Sequence, residues 1–275
     1  MPEMPEVETI RRSLEKKLLG KEIVDVKILL SRQIKWPAVE NFASRLVGRK
    51  IAEAARIGKY LLFKLDNGNE LIVHLRMTGR LCYKTAQDKS EETHTRVVFY
   101  FAGGERLIYA DIRTFGAIYA LLPDERWRIR GLSEMGPEPL SAEFTVDYLQ
   151  GILQKRRTKI KSILLNQKYI GGLGNIYVDE ALFLAGIQPQ RTADSISPAE
   201  TAKLYSSINK VIAEGIADGG TTFRDYRDGE GKKGHHQEKL FVYGRGGQSC
   251  RRCQNQIEKI TLGGRGTHYC PHCQK

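Results

Sequence analysis

Four cysteines near the C-terminus have the residue type and spacing that suit a metal ion. Cys250 and Cys253 form one Cys-x2-Cys pair, and Cys270 and Cys273 form a second pair after sixteen intervening residues. Two such pairs can supply four thiolates to one tetrahedral zinc ion, each pair from a tight turn. Two disulfides are the alternative, but nothing in the sequence marks an oxidising compartment. We therefore predict one closed, structural Zn2+ site.

The segment around these cysteines is strongly basic. Residues 250–275 carry a single acidic side chain, Glu258, against five basic ones: Arg251, Arg252, Lys259, Arg265 and Lys275. The formal net charge of the whole chain, +12, favours a polyanionic partner but does not separate DNA from RNA or from an acidic membrane. A short basic zinc hairpin more often binds nucleic acid than protein, and a purely structural zinc knob remains the alternative.

Composition is that of an ordinary globular protein, with 41% hydrophobic and 28% charged residues. Apolar runs are too short to cross a bilayer, and the run from Phe115 to Leu122 is about the longest. The N-terminus lacks the basic start and apolar stretch of a signal peptide. Cys82 lies in a strand-like run and is predicted to be a small buried side chain. We expect a cytoplasmic protein.

The N-terminal half is predicted to form a helix followed by strands. Pro5 suits the first turn of a helix, and Gly20 suits its end. Between them lies one apolar stripe at helical spacing: Val7, Ile10, Leu14 and Leu18. Alternation then predicts a strand with one apolar face, formed by Val24, Val26, Ile28 and Leu30.

Sequences typical of turns separate the remaining predicted strands of this half. Strand-like runs at 60–65 and 70–75 flank Asp66-Asn67-Gly68-Asn69, and runs at 95–101 and 106–110 flank Ala102-Gly103-Gly104. A further strand is predicted at 116–121. Residues 1 to about 130 are therefore predicted to form a β-sandwich or barrel that begins with a helix.

The second half has a helical pattern. Ser197-Pro198-Ala199-Glu200 has the form of a capping box at the start of a helix. Glycines 171, 172 and 174 precede another predicted helix, and their backbone N–H groups could face a phosphate. The stretch before that helix contains several basic residues and no acid: Lys155, Arg156, Arg157, Lys159, Lys161 and Lys168. Together these features favour a phosphate-gripping helix pair. Residues 227–236 are predicted to form a mobile loop.

Three motifs in this order resemble one known family. They are Pro2-Glu3 with Pro5-Glu6-Val7-Glu8, the run Gly171-Gly172-Leu173-Gly174-Asn175-Ile176-Tyr177, and the four-cysteine finger with Gly264-Arg265-Gly266-Thr267. The whole chain resembles the bacterial formamidopyrimidine-DNA glycosylases, which excise oxidised purines such as 8-oxoguanine. Endonuclease VIII type enzymes, which remove oxidised pyrimidines, are the nearest alternative, but their start resembles Pro-Glu-Gly-Pro-Glu-Ile. Met4 replaces the leucine usual in the purine-type start, a substitution of similar size.

The resemblance implies an α+β protein in three parts. Residues 1–130 are expected to form an N-terminal catalytic β-sandwich with its N-terminal helix. Residues 131–235 are expected to form a helix-two-turn-helix DNA-binding domain, and 236–275 a zinc-finger β-hairpin. It also implies a monomer that associates with the bacterial nucleoid, where its partner is double-stranded DNA with oxidised bases or abasic sites.

The same resemblance implies the catalytic residues. Removal of Met1 would leave a secondary amine on Pro2, and an α-amino group titrates near pH 8, so part of it is a neutral nucleophile. Glu3 would move protons, and Lys59 would contact phosphate and donate a proton during β-elimination. Arg265 would grip the phosphate beside the lesion and assist δ-elimination. Without the family pattern, a Met-Pro-Glu start is nearly always inert.

Further positions match DNA-contacting residues of the family: His94, Arg113, Arg156 and Asn175. Met77, Arg113 and Phe115 match side chains that fill the gap left by a flipped nucleotide. The loop that closes over the extruded base would use Thr221, Thr222, Arg224 and Tyr226. Some family members carry Glu at the position of Thr78 and Thr at the position of Asp225. The resemblance therefore does not determine which residues contact the base. The alternative from another functional class is a zinc-containing DNA-binding protein without catalytic activity.

Overall fold

The computed structural model describes residues 2–223 and 226–275. By contact, the chain forms two compact units. The first contains Met1–Ser133 and Asp218–His235, and the second contains Glu134–Ala217 and His236–Lys275. Residues 218–235 therefore group with the N-terminal unit, although they follow a long helical stretch in the sequence. The three domain limits inferred above, 1–130, 131–235 and 236–275, remain a prediction.

The first unit begins with helix α1 (Met4–Leu18), which confirms the predicted apolar stripe. Val7, Ile10, Leu14 and Leu18 are all at most 1% exposed and belong to the core of this unit. The chain leaves the helix through Gly20, whose φ of 76° is in the left-handed region that glycine adopts without steric cost.

Nine strands follow and form a β-sandwich. Their bounds are β1 Glu22–Ile28, β2 Ile34–Trp36, β3 Arg49–Ile57, β4 Tyr60–Leu65, β5 Glu70–His74, β6 Gly79–Lys84, β7 Thr95–Phe101, β8 Arg106–Asp111 and β9 Ala117–Leu121. One layer has the order β2-β9-β5-β4-β3 and the other β1-β7-β8-β6, and a short β1–β3 pairing joins them. All neighbours are antiparallel except β2 and β9. The two predicted hairpins and the 116–121 strand are confirmed.

Strand β1 departs from simple alternation. Ile23 pairs with Phe101 and Asp25 with Tyr100, so Val24 is an extra residue in a bulge. Val24 is 43% exposed, whereas Ile23 and Val26 are buried. The predicted single apolar face of Val24, Val26, Ile28 and Leu30 is therefore wrong, because one inserted residue moves the preceding side chains to the opposite face.

Two short stretches complete the first unit. Helix α2 (Arg130–Ser133) ends the N-terminal part of it. The predicted mobile loop at 227–236 forms hydrogen bonds with α1 and β6 through Gly229: its N–H donates to Ser13 Oγ at 3.0 Å, and its carbonyl accepts from Tyr83 N–H at 3.1 Å. A side-chain carbon on Gly229 would lie 2.5 Å from Leu14 Cδ2, so glycine allows this close approach to α1. The mobility of the segment remains a prediction.

The second unit contains four helices and a hairpin. They are α3 Val146–Leu153, α4 Ile160–Leu164, α5 Asn175–Ala185 and α6 Pro198–Ala217, followed by β10 Glu258–Leu262 and β11 Arg265–Tyr269. The capping box predicted for α6 is confirmed: Ser197 N–H donates to Glu200 Oε2 at 2.9 Å, and Glu200 N–H donates to Ser197 Oγ at 3.3 Å. Within the described residues, no helix combines the length and apolarity needed to cross a membrane.

Candidate active site and nucleic-acid interface

The four predicted zinc ligands lie together. Their sulfur atoms are all within 4.8 Å of one another. Cys250 Sγ is 3.9 Å from Cys273 Sγ, and Cys253 Sγ is 3.5 Å from Cys270 Sγ. A tetrahedral Zn–S4 site with bonds near 2.3 Å places sulfurs about 3.8 Å apart, so one zinc ion fits. Four thiolates fill its coordination shell, which makes this a structural site.

Arg265 lies on the hairpin that this site supports. Strands β10 and β11 pair from Glu258↔Tyr269 to Leu262↔Arg265, and Gly263-Gly264 form the turn. Both glycines have positive φ, 56° and 72°, as a two-residue hairpin turn requires. Arg265 is the first residue after the turn and is exposed. It can therefore present its guanidinium to an external phosphate.

A buried ion pair anchors this hairpin to the helices. Lys161 Nζ lies 2.6 Å from Asp179 Oδ1, and their side chains are 1% and 0% exposed. Lys161 also donates to Thr267 Oγ1 at 2.8 Å and to Gly266 O at 3.2 Å. Asp179 Oδ2 accepts from the His268 N–H at 2.9 Å. The residues that follow Arg265 are thus held by α4 and α5.

The next residue of α5 anchors the start of the finger. The carboxylate of Glu180 accepts three backbone N–H bonds, from Phe241, Val242 and Tyr243, at 2.8 to 2.9 Å. Burial raises the pKa of Glu180, against the lowering effect of these three donors. Two consecutive acids on α5 therefore bind opposite ends of the finger segment.

Asn175 is placed beside Arg265. Its side-chain Nδ2 donates to Gly266 O at 2.8 Å, and Asn175 is the first residue of α5. Two of the predicted phosphate-facing N–H groups are used inside the protein, since Gly171 N–H donates to Pro137 O and Gly172 N–H to Gln167 Oε1. The glycine-loop prediction is therefore wrong for these two residues.

The basic run does not act as one surface. Lys161 is buried in the ion pair described above, and Lys168 pairs with Glu134 at 2.7 Å. Arg156 donates to Ile152 O and stacks its guanidinium 4.2 Å from the centre of the Tyr169 ring. Arg157, at 96% side-chain exposure, faces solvent. The basic run favours a phosphate-gripping helix pair, but Lys161 cannot contribute to such a surface, because spacing along the chain does not reveal which side chains a helix turns inward.

In the first unit, the first described residues are buried at the start of α1. Pro2 is buried, and Glu3 is 3% exposed. Glu3 is the N-cap of α1 and forms a reciprocal capping box with Glu6, in which Glu3 N–H donates to Glu6 Oε2 at 2.8 Å. The proposed proton carrier is thus fixed relative to the helix, and the proposed nucleophile directly precedes it in the chain. Met1 lies outside the described residues.

Glu6 also contacts the predicted base-closing loop. Thr221 N–H donates to Glu6 Oε1 at 2.7 Å. Thr222 Oγ1 accepts from Gly234 N–H at 3.0 Å. Tyr226 packs against the core and donates to Gly219 O at 3.1 Å, and burial raises the pKa of its hydroxyl. Arg224 and Asp225, also expected in this loop, lie outside the described residues.

Lys59 lies in the turn between β3 and β4 and is 7% exposed. The turn depends on Gly58, with φ 58°, whose carbonyl accepts from Arg56 at 2.9 Å. Nearby, His74 Nδ1 accepts the Arg76 N–H at 3.0 Å. Burial, and then the charges of Arg76 and Lys59, lower the pKa of His74 to about 3. A neutral imidazole therefore lies close to the proposed proton donor.

Met77, Arg113 and Phe115 come together as one exposed group, called here the gap-filling cluster. Arg113 Nη1 is 3.1 Å from Met77 Sδ, and its guanidinium carbon is 4.7 Å from the centre of the Phe115 ring. Met77 is 43% and Phe115 54% exposed. Without the resemblance, both would be expected in the core. Their exposure and mutual contact suit insertion into DNA.

His94 is exposed and has a φ of 61°. Its carbonyl accepts from the Asp111 N–H at 3.0 Å, two residues before Arg113. The backbone at His94 is therefore tied to the strand end from which the gap-filling cluster extends.

A β-sandwich with an N-terminal helix, together with a helix-two-turn-helix unit and a four-cysteine hairpin, defines a class of DNA-repair glycosylases. Family models match the formamidopyrimidine-DNA glycosylase N-terminal domain at residues 1–118, its H2TH domain at 135–227, and a zinc finger found in FPG and IleRS at 247–275. The chain belongs to the formamidopyrimidine-DNA glycosylase family, as its motifs predicted.

Individual relatives agree with this assignment. A formamidopyrimidine-DNA glycosylase of Pelotomaculum thermopropionicum is 46% identical, over 100% of this chain and 99% of that protein. Two solved structures of the Lactococcus lactis enzyme each cover 100% of both chains with a TM-score of 0.93. One is a point mutant in complex with Fapy-dG DNA, at 38% identity, and the other a complex with abasic-site DNA, at 37%.

Sequence reasoning missed several residues that hold the predicted site residues in place within each unit. Glu6, Asp111, Asp179 and Glu180 are buried acids, and nothing in their local spacing shows which distant groups they bind. Glu6 alone had a local signal, since an acid three residues after the N-cap Glu3 fits a capping box.

Proposed function

We propose that this chain is a bifunctional DNA glycosylase and AP lyase that removes oxidised purines from double-stranded DNA. The observation that carries the proposal is the burial of Pro2 and Glu3 at the start of α1, where Glu6 holds Glu3, in a chain of this family. The Lactococcus lactis relative was solved with Fapy-dG DNA and with abasic-site DNA, which supports both the base class and the second activity.

The chemistry follows from an amine nucleophile. The Pro2 nitrogen forms a bond to the sugar C1′ as the bond from C1′ to the damaged base breaks, and the base leaves with a proton. Glu3 accepts the proton that the Pro2 nitrogen loses and passes it to the sugar ring oxygen, so the bond from C1′ to that oxygen breaks, the ring opens and an iminium ion forms between Pro2 and the sugar. The iminium acidifies the adjacent C–H, so loss of that proton expels the 3′ phosphate. Lys59 contacts phosphate and donates a proton during this β-elimination.

The DNA-binding roles are part of the same proposal. Arg265 and Asn175 bind phosphate beside the lesion, and Arg156 and His94 bind the backbone. The gap-filling cluster replaces the extruded nucleotide, and Thr221, Thr222, Arg224 and Tyr226 form the loop around the base. Zinc supplies no chemistry and stabilises the hairpin that carries Arg265. Because DNA is the substrate, we place the protein at the bacterial nucleoid.

A borohydride trap tests the proposal. A duplex with one 8-oxoguanine opposite cytosine should give a covalent adduct, and mass analysis should locate it on Pro2 of the methionine-processed chain. Pro2→Gly should retain part of the trapping because a primary amine remains, whereas an unprocessed Met1 should lose most of it. An adduct on an internal lysine, or base release without any adduct, would refute the mechanism.

Substrate class has its own comparison. A duplex with thymine glycol, tested in parallel, distinguishes this proposal from an endonuclease VIII type activity, which would process thymine glycol faster than 8-oxoguanine. Binding of both duplexes without release of either base would instead indicate a non-catalytic DNA-binding protein.

A further inference from the structure

A buried carboxylate supports the segments that carry the gap-filling cluster. Asp111, at the end of β8, is 1% exposed. Its Oδ1 accepts from Thr78 Oγ1 at 2.6 Å, and its Oδ2 accepts from the Gly116 N–H at 2.9 Å and from Tyr109 Oη at 3.2 Å. One carboxylate therefore binds the segment that carries Met77 and the segment that carries Arg113 and Phe115.

The hydroxyl of Thr78 joins these two segments a second time. While it donates to Asp111, it accepts the backbone N–H of Arg113 at 3.0 Å. A threonine hydroxyl has one donor, and here that donor is used on Asp111. Thr78 thus lies between Met77 and Arg113 as a direct bridge, and its hydroxyl proton is not available to a base.

Packing around the bridge leaves little freedom. A side-chain carbon on Gly116 would lie 1.6 Å from Tyr109 Oη, and one on Gly79 would lie 2.7 Å from the same atom. The two segments therefore approach a single buried hydroxyl closely, which only glycine allows at these positions. On the exposed side, Arg113 contacts both Met77 and Phe115. The exposed cluster is therefore linked through Arg113 to the buried residues that support it.

We infer that Thr78 is a positioning residue for the gap-filling cluster. Its hydroxyl sets Arg113 relative to Met77, and through Arg113 it controls discrimination of the base opposite the lesion. This inference rests on the proposed function for the identity of the substrate, but the geometry that carries it does not involve Pro2 or the sugar chemistry. Loss of the hydroxyl would leave the Asp111 Oδ1 and the Arg113 N–H without this partner in a crowded site, so the Arg113 segment would shift.

The test compares Thr78→Val, which keeps the shape, with Thr78→Ser, which keeps the hydroxyl. Each protein is bound to a duplex with 2-aminopurine opposite a tetrahydrofuran abasic analogue, and the fluorescence change at saturation reports insertion against the opposite base. We expect Thr78→Val to lose most of this change and Thr78→Ser to retain it. Excision of 8-oxoguanine opposite cytosine relative to adenine should fall about tenfold in Thr78→Val.

Two controls keep the outcome clear. Cleavage of a preformed abasic site should fall less in Thr78→Val than its preference for cytosine over adenine, and its thermal unfolding should show a folded protein. Wild-type fluorescence and wild-type discrimination in Thr78→Val would overturn the inference, as would equal losses in Thr78→Ser. If the wild-type protein bound the abasic duplex but excised no oxidised base, the proposed function would fail, while the fluorescence comparison would still decide the role of Thr78.

Discussion

The carboxylate of Glu6 accepts the backbone N–H of Thr221 at 2.7 Å, across 215 residues of sequence. The other oxygen of the same carboxylate accepts the N–H of Glu3 at 2.8 Å. One buried acid therefore joins the residue beside the proposed nucleophile to the loop proposed to close over the base. Because the same side chain accepts both hydrogen bonds, a shift of the loop that moves the Glu6 carboxylate also changes its hydrogen bond to Glu3 at the start of α1.

The adjacent glycines offer a matched pair of substitutions for this contact. Gly219 and Gly220 both have left-handed φ, 73° and 82°, so alanine is strained at either one by about 1–2 kcal/mol. Only at Gly220 would the new carbon meet Glu6, 2.9 Å from its Cγ. We expect Gly220→Ala to lower single-turnover excision of 8-oxoguanine well below that of Gly219→Ala. Equal rates for the two variants would show that the Glu6 contact is not required.

Arg113 should control the preference for the opposite base. A guanidinium only donates hydrogen bonds, so it suits the O2 and N3 acceptors of cytosine better than the mixed edge of adenine. We expect Arg113→Ala to lose about 1–3 kcal/mol of discrimination between cytosine and adenine, measured as the ratio of kcat/KM values. Trapping on a preformed abasic site should be partly retained. A preserved ratio would mean that another residue reads the opposite base.

Removal of zinc should disrupt the finger of the second unit without unfolding the first unit. We expect chelation, or Cys253→Ser, to abolish binding of damaged DNA, because the metal contributes on the order of 10 kcal/mol to folding of such small modules. The first unit should stay folded. Both tryptophans of the chain, Trp36 and Trp127, lie in that unit, so their fluorescence reports on it alone. Cys82→Ser is the matched control. Full affinity in verified metal-free protein would contradict this expectation.

Lys161 should matter for stability rather than for direct DNA contact. Replacing it with methionine leaves Asp179 buried without its cation, at a cost of about 3–5 kcal/mol. We expect a lower melting temperature and weaker DNA binding through displacement of the Arg265 hairpin. Lys159→Met, at an exposed neighbouring position, should leave the melting temperature unchanged. A normal melting temperature in Lys161→Met would mean that the ion pair does not stabilise this unit.

His74 should make the first unit less stable in acid. Its pKa falls from an unfolded value of 6.5 to about 3 in the folded protein, so the unfolded state binds a proton first. The stability that neutral His74 contributes is complete above pH 6.5 and is lost progressively as pH falls toward 3. His74→Asn keeps an acceptor for the Arg76 N–H but does not titrate, so it should flatten this part of the stability profile. Chemical denaturation between pH 7 and pH 4 measures the difference, and identical slopes would exclude His74 as the source.

Local patterns in the sequence were enough to predict a large part of this protein. The apolar stripe of α1, the hairpin around Asn67-Gly68 and the capping box at Ser197 each depend on residues within a few positions of one another. The zinc site is similar, because each Cys-x2-Cys pair is a local turn. The motifs that carry the family resemblance are also short and contiguous, so the proposed catalytic residues could be named from them.

Tertiary structure decided the contacts that hold those residues in place. Nothing near Lys161 shows that it is buried against Asp179, and nothing near Thr78 shows that it bridges Asp111 and Arg113. The bulge at Val24 follows from the pairing of β1 with β7, which alternation along one strand does not contain. In each case the determining partner is distant in the chain, and periodicity reports only on neighbours. Which buried acid meets which backbone N–H is therefore settled only when the chain has folded.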